Sequence, residues 1–136
     1  MNQTQRIKGI LYALIAIFIL IAVYFLLPTE IAFKRELFPA IAILGFAFLS
    51  LGSMLIYLGR KEKGKLNFYL ILTGTSAIGP FAGSVLHNLF YGLAMTFESL
   101  KYVFEFLQVS FFLIALLIAP ILFIIGVIGC MVSLKK

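Results

Sequence analysis

LTGTSAIGPFAGSVLHNLFYGL, the stretch from Leu72 to Leu93, is uncharged and long enough to cross a bilayer core, for which about 20 apolar residues suffice. It also carries the chain's single histidine, His87, together with threonines, serines, an asparagine and several glycines. Lipid is satisfied by apolar side chains alone, so polar groups at these depths are expected to face protein or a cavity. The reading of this stretch as a span sets the reading of everything around it.

With 63% hydrophobic and 12% charged residues over 136 positions, the chain lies far from the roughly one-quarter charged content of soluble domains. Its composition predicts an all-α integral membrane four-helix bundle with short loops. The spans are expected at about 9–27, 39–58, 68–91 and 104–132, within a single transmembrane domain over 1–136. The first run is too long for a signal-peptide core and lacks a small-residue cleavage site, so it is expected to remain as an uncleaved span.

Basic residues cluster at alternate ends of these spans. Arg6 and Lys8 precede the first, Arg60, Lys61, Lys63 and Lys65 join the second to the third, and Lys135 and Lys136 follow the fourth. The other two links hold Lys34, Arg35 and Lys101 against Glu30, Glu36, Glu98 and Glu105. Positive charge on the retained side predicts both termini in the cytoplasm of a multi-pass cell-membrane protein. The same basic loop is expected to touch anionic lipid headgroups, and nucleic acid is not an expected partner.

Within the third span, Thr75, Gly79, Gly83, His87 and Tyr91 recur every fourth residue, and Ser76, Pro80, Ser84 and Asn88 follow one position round. These residues mark either an interhelical polar contact or the lining of a path. Gly79-Pro80 is expected to weaken the helix locally. His87 admits three readings: an interhelical hydrogen bond, a water-accessible proton or substrate contact, or a metal or haem ligand. Its expected partners include Glu98, Glu105 and Tyr91. No second histidine stands nearby to complete a zinc set, and the chain's lone cysteine, Cys130, forms no cluster. No catalytic residue, cofactor or metal site is assigned.

Gly45, Gly52 and Gly59 recur every seventh residue along the second span and form an expected packing seam. Pro39 is expected in the first turn of that helix. After the third span, residues 93–105 alternate as an amphipathic outer segment, with Leu93, Phe97, Leu100 and Phe104 as its apolar stripe. Continuity with the fourth span is preferred over a separate helix, and Pro120 is expected to kink that span. The four short-looped spans resemble small multidrug transporters in outline, but the first span lacks the membrane-embedded glutamate such a transporter would use. The leading functional expectation is a non-enzymatic homo-oligomer or subunit of a membrane complex. The alternative is a small transporter or channel whose third helix lines the path.

Overall fold

A computed structural model describes residues 2–135; Lys136, counted above with the basic C-terminus, lies outside them. The described residues form an all-α bundle of four membrane-length helical rods without a strand. α1 spans Gln3–Leu26, α2 Lys34–Gly59 and α3 Gly64–Thr96. The fourth rod opens with a 3₁₀ turn at Glu98–Leu100, continues as α4, Lys101–Leu113, widens into a π turn at Ile114–Ile118, and ends as α5, Ala119–Ser133.

Each helix begins or ends where the side chains dictate. Asn2 Oδ1 accepts from the Gln5 amide at 2.9 Å, and the Asn2 amide donates to Gln5 Oε1 at 3.2 Å. This reciprocal cap starts α1 ahead of its apolar run. Pro28 stands just beyond the end of α1, and Lys34 Nζ donates to the Leu27 carbonyl at 2.6 Å across the short link. Gly64 turns the second link with φ +70°, a conformation that costs glycine little. Asn67 Nδ2 then donates to the Gly59 carbonyl at 2.6 Å, closing the turn between α2 and α3.

Several boundaries differ from expectation. α2 starts at Lys34, so Pro39 lies inside the helix rather than in its first turn. A single missing donor is tolerated on this exposed stretch. α3 continues as α-helix through Gly79 and Pro80, held on one side by Ala119 against Gly79 and on another by the Phe46 and Phe81 rings, 5.9 Å apart. The departure from α geometry falls in the fourth rod, where the π turn directly precedes the α5 segment carrying Pro120 near its start. The 93–105 segment is divided: residues to Thr96 belong to α3, Phe97 turns the chain at φ −111° and ψ 89°, and Glu98 opens the fourth rod. Leu93 and Phe104 therefore sit on different helices. Continuity with the fourth rod holds from Glu98 onward, where Lys101 pairs with Glu105 at 3.9 Å.

α3 is the centre of the bundle. It packs against α2 on one flank and against the whole fourth rod on the other, while α1 rests on α2. Ile7, Leu11 and Leu14 of α1 bury with Leu55, Leu58, Leu70 and Cys130 in one apolar cluster. At mid-height Phe18 meets Phe123 at 4.8 Å, joining α1 to α5. The outside is strongly apolar: Phe25 is 69% exposed, Ile43 69% and Phe106 71%. Such a surface fits lipid, and the multi-span build is that of a membrane protein.

Gln3 Nε2 donates to Glu62 Oε1 at 2.7 Å, so the start of α1 and the α2–α3 link share one end of the bundle. The last turn of α5 reaches the same end, where Val132 and Ser133 face Lys63 and Lys65. The three basic stretches are therefore gathered together.

Candidate functional site

The two polar stripes of α3 do not form one polar face. Gly79 and Gly83 face the fourth rod: a Cβ on Gly79 would stand 2.8 Å from Ala119 Cβ, and one on Gly83 would stand 2.7 Å from Ala115 Cβ. One further turn along, His87 Nδ1 lies 3.0 Å from the Gln108 carbonyl oxygen. A carbonyl only accepts, so Nδ1 is the donor in this bond. The ring packs on Phe112 with centroids 5.4 Å apart. His87 thus makes an interhelical bond to backbone; Glu98, Glu105 and Tyr91 are not its partners.

Ser76 is buried, Pro80 is half-buried, and Thr75, Ser84, Asn88 and Tyr91 lie exposed on the outside of the bundle. In the single chain these groups lie outside the contacts that α3 makes with its neighbouring helices. The physical reason is visible at Ser84, whose hydroxyl donates to the Pro80 carbonyl one turn back at 2.7 Å. Thr96, Ser50, Ser53 and Ser110 do the same to Gly92, Phe46, Leu49 and Phe106. A hydroxyl satisfied within its own helix needs no second helix.

The contact with α2 uses another row. A Cβ on Gly52 would stand 2.8 Å from Ala77 Cβ, and one on Gly59 would stand 2.9 Å from Leu70 Cβ. Gly45 does not share this contact, having nothing within 4 Å of its Cβ position. Leu70, Gly74 and Ala77 are buried here, and spacings of four and three continue their row through Phe81 to Ser84 and Asn88. The Phe46 and Phe81 rings meet across this contact at 5.9 Å, and further along the row Ser84 and Asn88 are exposed.

Thr73 escaped the sequence reading, though it sits at the centre. Its hydroxyl donates to the Tyr69 carbonyl at 2.7 Å and lies 3.6 Å from Cys130 Sγ, and Gly126 gives it room. Gln108 was also missed, because its contribution is a backbone carbonyl. The α2–α3 match had a signal: Gly52 and Gly59 are spaced like Leu70 and Ala77, in opposite chain directions. Gly129 is likewise occupied, by the ring of Tyr69.

Among the described residues, no three His, Cys, Asp or Glu side chains come together to hold a metal ion. A cavity of about 590 Å³ lies at the basic end between α3 and α5, and a second, of about 310 Å³, lies beside the α1–α2 link. Neither is lined by residues of the Thr75–Tyr91 stripes. No protein-family model matches the chain, and the searches of curated proteins and of solved structures found no match either.

Proposed function

We propose that this chain is a non-enzymatic integral membrane protein that works as a homo-oligomer or as a subunit of a larger membrane complex. The observation that carries the reading is the use of α3. Gly79, Gly83 and His87 are spent on close contact with Ala119, Ala115 and Gln108, which leaves these groups as packing elements. The exposed apolar flanks provide area for lipid or further helices. Both termini lie in the cytoplasm on this reading, with Arg60, Lys61, Lys63 and Lys65 near anionic headgroups; the gathering of the basic stretches at one end supports it.

A second reading, a small transporter or channel, is favoured by one observation. Ser84 and Asn88 continue the α2-facing row of α3 beyond Phe46 and Phe81, where α2 leaves them exposed. Cysteines placed singly from Thr75 to Asn88, in a chain with Cys130 replaced by alanine, separate the two. The packing reading expects none to react with a membrane-impermeant thiol reagent in native membranes. Reaction at Ser84 and Asn88 together, blocked at Gly79 and Gly83, would favour a water-filled path and sink the packing reading.

A further inference from the structure

The cavity of about 590 Å³ at the basic end is amphipathic along its length. Lys63, just ahead of α3, and Lys65, in its first turn, line the end nearest the loop. Ile125, Ile128 and Val132 of α5 form an apolar wall, and these side chains are about half exposed. From Ser133 back to Ile125 the helix descends about 12 Å, most of one leaflet of hydrocarbon. The Tyr69 ring, seated against Gly129, adds a further apolar wall.

The charge at the loop end is not neutralised from within. No acidic side chain is among the described residues that line the cavity, and neither lysine has a salt-bridge partner there. Glu62, the acid of this loop, accepts from Gln3 of α1 instead. Lys61 is also engaged elsewhere, its Nζ 4.3 Å from the centre of the Tyr57 ring on α2. An occupant must therefore bring negative charge to Lys63 and Lys65 and an apolar body to the α5 wall. A free phosphate meets only the first demand.

We propose that this groove seats an anionic phospholipid, with its phosphate on Lys63 and Lys65 and one acyl chain along Ile125, Ile128 and Val132. The site rests on the membrane-spanning reading and goes beyond a general attraction of the loop to headgroups. It assigns Lys63 and Lys65 a role that Arg60 and Lys61 do not share.

The chain has no tryptophan, so Leu66→Trp places a single reporter in the groove. The variant is reconstituted in phosphatidylcholine vesicles, and its quenching by brominated phosphatidylglycerol is compared with that by brominated phosphatidylcholine. The expected result is a preference of about fivefold or more for the anionic lipid. Adding K63Q and K65Q together brings the ratio near parity, whereas R60Q with K61Q keeps it, each variant first showing a single elution peak like the parent's. Equal loss in both pairs, or no preference in the parent, overturns the site in favour of diffuse attraction. Absence of quenching by either lipid also overturns it, because protein then covers the groove. Flotation of the protein with the vesicles keeps the membrane-spanning reading intact in each of these cases.

Discussion

His87 Nδ1 donates to the Gln108 carbonyl oxygen across 3.0 Å, tying the later turns of α3 to α4. Interhelical hydrogen bonds in membranes contribute about 0.6 to 1.7 kcal/mol, since the unfolded chain also finds partners. His87→Leu is therefore expected to destabilise the bundle by about that amount. His87→Gln, whose amide can still donate, loses less. Unfolding in mixed micelles with rising dodecyl sulfate measures both; equal stability of His87→Leu and the parent would show that the bond carries no weight.

Gly52 and Gly45 look alike in the sequence and are expected to behave oppositely. A Cβ at Gly52 meets Ala77 Cβ at 2.8 Å and the Gly74 carbonyl oxygen at 3.0 Å, so Gly52→Val overpacks the α2–α3 contact and costs about 1–3 kcal/mol. At Gly45 nothing stands within 4 Å, and Gly45→Ala gains up to about 1 kcal/mol of helix propensity. The same micelle titration checks the pair.

Cys130 is fully buried, with 0% of its surface exposed, and it shares its contact with Thr73 Oγ1. Its thiol is expected to resist a permeant maleimide in the native bundle and to label fully once dodecyl sulfate unfolds it. Rapid native labelling would show that α3 and α5 separate at this height. The same burial argues against acylation of this cysteine.

The proposed sidedness, with the gathered basic stretches inside, has a direct check. In a chain with Cys130 replaced, Glu30→Cys and Glu98→Cys are expected to label from outside intact cells with an impermeant reagent. Glu62→Cys is expected to label only after permeabilisation. The reverse pattern would place the basic end outside.

The number of helical rods was legible in the chain because lipid forces each span to satisfy its own backbone, and a long apolar run has one economical way to do so. The sevenfold spacing of Gly45, Gly52 and Gly59 did not by itself tell them apart: Gly52 and Gly59 stand close to α3 and Gly45 has nothing within 4 Å of its Cβ position. The division at Phe97 was hidden because no glycine or proline marks it. The roles along Leu72 to Leu93 were decided only by the tertiary structure. Small and hydroxyl residues occur on several faces of that helix, and a hydroxyl bonded to its own backbone is indifferent to its neighbour, as Ser84 shows with Pro80. Which groups turned inward depended on the surfaces that arrived from elsewhere: Ala115, Ala119 and the Gln108 carbonyl on one flank, Gly52 and Gly59 on the other. Sequence alone determined that a polar, glycine-rich helix crosses the bundle. The folded chain made it the central packing element, because close contact is settled by the pair of helices and not by either one.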